Sequence, residues 1–282
     1  MSKVTLVTDS TTYLPKELVA KYGIKVAPQL LIWGEKTYLD GVDIQPSEFY
    51  TRLKTAKAMP SSSQATPKIF HEIFKAEVEA GNSVLAILIS EVLSGTIASA
   101  IQAREMLPGA TIEIVDSRTT SMAMGFTLLA AARALEDGAS LAEAKALAEK
   151  AREHVGVVFA VDTLEFLHRG GRIGGANRFL GTALNIKPIL EVTGGKVEGI
   201  EKVRTRSKSL NRVIEIIGER IGGRTPVRLA TLHANAPEDA KMVLEEARKQ
   251  FNAVEAIASE VSPVVGTHAG PGTVGLAFMA GM

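Results

Sequence analysis

Val4-Thr5-Leu6-Val7-Thr8-Asp9-Ser10, close to the start of the 282-residue chain, decides the fold class. A short apolar run that stops at an aspartate reads as a strand of a parallel sheet, because crossover helices cover both faces of such a sheet. Ser10-Thr11-Thr12 follow as candidate helix caps, with Pro15 near the helix start and Gly23 just past its end. The same alternation continues outward. Residues 24–33 read as a second strand, pushed towards an edge or a bend by Pro28. Residues 46–54 read as a helix and 60–67 as a polar loop, in which Thr66-Pro67 supplies an N-cap and first-turn proline for a helix through Ala80. Strands follow at 84–89 and 111–115. The first leads into a helix opened by Ser94-Gly95-Thr96, the second into an Ala-rich helix pair near 120–136 and 141–153.

The second half begins near His154. Residues 157–161 read as a strand, and 164–184 as a helix broken by the run from His168 to Gly175. Residues 188–192 and 197–203 flank Gly194-Gly195 as a hairpin. A helix (210–221), a strand (227–232) and a helix (237–251) follow, and the final stretch, 264–280, holds the turn Thr267-His268-Ala269-Gly270-Pro271-Gly272. The expectation is a two-domain α/β protein, with domains at 1–153 and 154–282. The first carries a mostly parallel sheet with helices and the second a mixed sheet with helices. The length suits two domains of roughly 100–200 residues each.

Composition removes several function classes. With 32 basic and 31 acidic side chains the formal net charge is +1, against the strongly basic footprint of a nucleic-acid-binding protein. The absence of cysteine excludes disulfides, thiolate catalysis and cysteine-ligated zinc. No apolar stretch reaches the roughly 18–20 residues that span a bilayer, and the first residues lack a signal core, so a cytoplasmic location is expected. His71, His154, His168 and His233 have no metal-ligand spacing, so no metal is expected.

Polar residues collect where strands stop, and in open α/β sheets ligands bind beyond the carboxyl ends of strands. Ser, Thr and Asp are also ordinary helix caps at such junctions. Ser94-Gly95-Thr96 offers hydroxyls and free backbone N–H groups at a helix start, which attract an anion. Ser94 as a nucleophile is the competing reading, although the glycine two residues before the serine of a nucleophile elbow is missing. Gly170–Gly175 matches neither G-x-G-x-x-G nor a Walker A loop, so nucleotide binding has no motif here. Around His268, flanking glycines permit close approach of a ligand to the backbone.

Together the motifs resemble the DegV family of bacterial fatty-acid-binding proteins. The matching pieces, in the family's order along essentially the whole chain, are Val7-Thr8-Asp9-Ser10, Ser62-Ser63-Gln64, Leu93-Ser94-Gly95-Thr96 and Val115-Asp116-Ser117. Asp162-Thr163-Leu164-Glu165-Phe166-Leu167, Gly170-Gly171-Arg172-Ile173, Asn185-Ile186-Lys187-Pro188-Ile189-Leu190 and His268-Ala269-Gly270-Pro271-Gly272 complete the set. The resemblance implies one long-chain fatty acid between the domains and no other cofactor. It implies a carboxylate held by a hydroxyl of the polar loop, by Ser94 and by His268, with Gly95, Thr96 and Gly270 alongside. The family's usual Thr-Ser-Gln-Pro-Ser is Ser62-Ser63-Gln64-Ala65-Thr66 here, which leaves Ser62 or Ser63 as the loop donor.

The physics is compatible, since hydroxyls and an imidazole can satisfy a buried carboxylate without a buried Lys or Arg. By resemblance the chain is a carrier rather than an enzyme. It presents the carboxylate to a separate ATP-dependent fatty acid kinase, as a monomer. Arg169, Arg172, Lys187, Arg204, Arg206 and Lys208 fall in the loop-rich stretch between Leu164 and Leu210 and are the expected docking cluster, with ordinary solvated charges as the alternative. The alternative is a serine hydrolase of acyl esters using Ser94 and His268, with Asp9 or Asp116 orienting the base.

Overall fold

The computed structural model describes residues 3–181 and 186–282. The first half runs β1 (Val4–Asp9), α1 (Lys16–Tyr22), β2 (Lys25–Ala27), β3 (Leu30–Trp33), β4 (Lys36–Leu39), α2 (Pro46–Leu53), β5 (Ser61–Ser63), α3 (Pro67–Glu79), β6 (Ser83–Leu88), α4 (Thr96–Glu105), β7 (Ile112–Asp116), α5 (Ser121–Glu136) and α6 (Leu141–Ala151). The second half runs β8 (Val155–Ala160), α7 (Glu165–Arg169), β9 (Lys187–Thr193), β10 (Lys196–Val203), α8 (Arg206–Ile221), β11 (Val227–His233), α9 (Pro237–Gln250), β12 (Glu255–Glu260), α10 (Pro263–Ala269) and β13 (Val274–Ala280).

The architecture is two-domain α/β. One sheet, ordered β2-β1-β6-β7, is parallel throughout; the other, ordered β10-β9-β8-β13-β11-β12, is mixed, with only β11 and β12 parallel. Every residue of β6 and of β13 is buried, as an apolar strand covered on both faces requires. Helix α5 packs against β1 and β6 on one side and against β8, β11 and β13 on the other, which is why it is apolar nearly all round. Phe126, Leu128, Leu129 and Met122 of this helix are buried and join the two halves in one core.

Local rules account for several boundaries. Thr66 caps α3, its hydroxyl accepting from the Ile69 N–H at 3.3 Å, and Pro67 takes the first turn. Gly23 closes α1 in the left-handed region at φ 62°. The hairpin of β9 and β10 turns at Gly194-Gly195.

Elsewhere the structure departs from the sequence expectation. Pro28 splits the expected strand at 24–33, so that β2 joins the parallel sheet while β3 starts a separate antiparallel sheet ordered β4-β3-β5. The polar loop at 60–67 holds β5, which pairs with β3 by backbone alone. The expected helix at 164–184 is reduced to α7 and a 3-10 segment, Gly174–Phe179; its last residues and Asn185 lie outside the described residues. His268 sits in the last turn of α10 rather than in the Gly/Pro turn that follows.

Candidate functional site

A cleft opens between the two sheets, with about 890 Å³ of empty space, its mouth included. Its apolar wall is built largely by the mixed sheet, through Val157 and Phe159 of β8, Val192 of β9, Val197 of β10 and Leu232 of β11. Segments after the parallel strands close the other side, including Tyr13, Ile89, Leu93 and Ser121, as expected for a site beyond the carboxyl ends of strands. Ser62, Ser63, Gln64, Ser94, Arg172 and His268 supply polar groups to the same cleft.

Ser62 and His268 meet there. Register pairing with Leu31 holds Ser62 on β5, and α10 brings His268 opposite. Ser62 Oγ lies 2.6 Å from His268 Nε2, a short hydrogen bond. The other ring nitrogen, Nδ1, is buried without a partner, and the ring packs so closely on Gly170 that a side chain there would collide with it. Burial, and then the nearby Arg172 cation, push the imidazole down to about 4, so it is neutral at physiological pH. A carboxylate brought beside it would favour the charged form and draw a proton onto the ring.

Ser94 is half-buried just ahead of α4, its hydroxyl 2.8 Å from Thr96 Oγ1. Behind it lies a relay through Gln29 that sequence reasoning missed. Gln29 Nε2 donates to Thr96 Oγ1 at 2.9 Å, and Gln29 Oε1 accepts from the Ala65 N–H at 2.7 Å. One buried side chain therefore ties the start of α4 to the segment that carries Ser62. A polar residue inside the apolar run Ala27-Pro28-Gln29-Leu30-Leu31 was the available signal.

The remaining expected residues divide. Ser63 lines the cleft; Gly95, Thr96 and Gly270 do not. Thr96 is fully buried and supports Ser94. Gly95 is exposed beside Gln64. At Gly270, φ is 77° and the Phe166 ring occupies the space of a side chain, so glycine is required by conformation and packing together.

No triad is assembled. His268 Nε2 faces Ser62 and its Nδ1 has no acceptor, so nothing orients it as a base towards Ser94. Asp9 is engaged by the Thr11 N–H and hydroxyl and by the Ile89 N–H, and Asp116 by the Arg118 N–H. Burial raises the Asp9 carboxyl while these donors oppose the rise. Among the described residues, no group of three or more metal-ligating side chains is placed to hold an ion, and no helix is long and apolar enough to cross a membrane.

The basic residues of the second half are not one free cluster. Lys187 Nζ lies 2.6 Å from Asp162, and Arg206 lies 2.8 Å from Asp239, so both serve internal ion pairs. Arg169 pairs with Glu165 at 2.7 Å, and Arg204 and Lys208 are exposed. Arg172 donates to the Leu93 carbonyl at 3.2 Å and to the Gly170 carbonyl at 2.6 Å, bridging the two halves beside the cleft. A second hollow, of about 590 Å³, shares Ser62, Arg172 and His268 with the cleft.

The comparisons with known proteins agree with this architecture. A sequence profile of the DegV family, described as uncharacterised proteins, matches residues 3–281. Protein DegV of Bacillus subtilis is 33% identical over 277 residues, covering 98% of each chain. Among solved structures, a fatty-acid-binding DegV family protein from Thermus thermophilus superposes with a TM-score of 0.93 at 35% identity, covering 99% of both chains. A stearic-acid-binding protein from Eubacterium ventriosum gives 0.92 at 25% identity, covering 100% of this chain and 99% of its own. A profile match over nearly the whole length, with whole-chain relatives above 30% identity, places this chain in the DegV family.

Proposed function

We propose that this protein binds a long-chain fatty acid in the cleft between its two α/β domains and presents the carboxylate to a separate ATP-dependent kinase, which converts it to an acyl phosphate. One observation carries the reading: a single cleft joins the Ser62–His268 hydrogen-bonded pair to a wall of Val, Leu and Phe side chains. An apolar pocket with a few convergent polar groups is the usual form of a small-molecule site. The carboxylate is taken by the Ser62 and Ser94 hydroxyls and by His268, and the acyl chain runs along Val157, Phe159, Val192 and Leu232. Relatives whose structures are described as those of fatty-acid-binding proteins support the same reading.

Presentation to a kinase rests on access and on what the chain lacks. The second hollow is also lined by Ser62 and His268, which offers a partner a route to the carboxylate apart from the apolar wall that holds the tail. The sequence contains no phosphate-binding loop of its own. An ATP-dependent partner places the protein in the cytoplasm.

Native mass spectrometry of the purified protein tests the binding step. A bound mass equal to a fatty acid, released on denaturation, is the expected result. A covalent adduct on Ser94 after fluorophosphonate treatment would instead revive the hydrolase reading.

A further inference from the structure

We propose that Asp40 is a positioning residue for this site: from the first domain it holds the start of α10, and so sets His268, at the other end of that helix, against Ser62. The inference rests on the fatty-acid-binding reading for its functional consequence, but its geometry stands apart from it.

Asp40 follows β4 and is 2% exposed. Its Oδ1 accepts from the backbone N–H of Val264, in the first turn of α10, at 3.1 Å. Those two residues are 224 positions apart, and no side chain of α10's own flank caps the helix. The other oxygen, Oδ2, accepts from the Ser10 hydroxyl at 2.6 Å. Ser10 Oγ in turn accepts from the Gln29 N–H at 3.1 Å, and the Gln29 side chain is the one that ties Ala65 to Thr96. Asp40 thus joins two arms: one reaches Ser94 and the Ser62 segment through Gln29, the other reaches His268 through α10.

A helix this short transmits placement well. Pro263–Ala269 is two turns, so a shift of its first turn moves the imidazole with it. The Ser62–His268 contact is short and the ring nitrogen behind it is unpartnered, so nothing else in the ring's hydrogen bonding fixes its position. The tie does not read as a device for stability. Burial, its largest influence, pushes the Asp40 carboxyl up to about 6, with neighbouring Asp9 adding to the rise and the Ser10 and Ser262 hydroxyls and the Val264 N–H opposing it. A charge held at such a cost contributes through where it places its partners.

The test compares Asp40→Ala with Asp40→Asn, which keeps an acceptor for Val264. Two quantities are read: the ring-nitrogen NMR shifts of His268 in ligand-free protein, and the affinity for palmitate. In Asp40→Ala, the His268 shifts should move towards those of Ser62→Ala, and palmitate affinity should fall ten-fold or more. Asp40→Asn should leave the His268 shifts at their wild-type positions and palmitate affinity within about three-fold of wild type. If Asp40→Ala does not fold, Asp40→Ser, whose shorter side chain cannot reach both partners, takes its place. Unchanged His268 shifts in Asp40→Ala or Asp40→Ser would overturn the proposal, and so would a loss in Asp40→Asn as large as in Asp40→Ala. Wild-type protein that binds no palmitate would defeat the fatty-acid reading alone, because the ligand-free shifts still decide the role of Asp40.

Discussion

Ser62 Oγ and His268 Nε2, 2.6 Å apart, exchange a polar contact between the two domains inside an apolar cleft. A neutral imidazole and hydroxyls can surround a carboxylate without the desolvation cost of a fully buried ammonium or guanidinium. Hydrogen bonds to a charged group are worth about 1.5–3 kcal/mol each, or roughly 10- to 150-fold in affinity. Ser62→Ala and Ser94→Ala should each weaken fatty-acid binding by that order, measured by calorimetric titration. Their unfolding midpoints should stay within a few degrees, since both serines are only half-buried. Ser94→Ala should be the gentler for structure, because Thr96 keeps its bond to Gln29.

Among the elements, α10 runs between two groups shifted in opposite directions. Asp40 at its start has a carboxyl raised to about 6, and His268 at its end an imidazole lowered to about 4. The two act on stability in opposite senses. For Asp40, with a folded value above the unfolded one, the contribution is present below about pH 4 and is lost as pH rises through 6. For His268, with a folded value below the unfolded one, the contribution is present above about pH 6.5 and is lost as pH falls towards 4. Each amounts to about 3 kcal/mol at about 1.4 kcal/mol per unit, so the two largely offset each other between pH 4 and 6.5. Denaturant unfolding at pH 4.5, 5.5, 6.5 and 7.5 separates them. Relative to wild type, Asp40→Asn should lose stability as pH falls through this window, and His268→Gln should gain it. Parallel profiles for wild type and both variants would contradict the assignment.

Much at this scale was legible in the sequence, for physical reasons. β1 and β6 announce themselves because strands covered on both faces need continuous apolar runs, and Thr66-Pro67 marks the start of α3 because both residues suit a first turn. Ser61–Ser63 gave no such signal: β5 has no apolar side chain to show a period and forms through backbone bonds to β3. α10 was hidden because Pro263-Val264-Val265-Gly266 combines β-branched residues with glycine, and its first turn is held by Asp40 from far along the chain. Ser94 stood out at a helix start and His268 among glycines, and Ser62 through the family resemblance, whereas Gln29 and Asp40 act through partners that only the topology brings near. In Asp40-Gly41 the local sequence reads as a turn.

At the scale of the whole molecule, the two domains share a core through α5 and meet in polar contacts beside the cleft through Arg172, Asp40 and the Ser62–His268 pair, and elsewhere through Arg133 with Glu255 and Ser90 with the Gly195 carbonyl. In the proposed reading, the carboxylate end lies near a surface and the acyl tail inside. Charged side chains at that surface would govern how fast a partner associates rather than how tightly the lipid is held. Lys187 and Arg206 are occupied by Asp162 and Asp239, so the exposed Arg204 and Lys208 are the residues to reverse. Arg204→Glu combined with Lys208→Glu should slow acyl-phosphate formation by a cognate kinase several-fold at low salt, less at moderate salt, and leave fatty-acid affinity unchanged. Full kinase activity at both salts would remove these residues from the docking surface.

The central claim, a fatty acid held by its carboxylate in the inter-domain cleft, is tested most directly by titrating delipidated protein with palmitate and with methyl palmitate below their aggregation limits. The account predicts one palmitate per chain and an affinity for the ester at least ten-fold weaker, because the ester has lost the charge that Ser62, Ser94 and His268 surround. Equal affinity for acid and ester, or no binding of the acid, would contradict it.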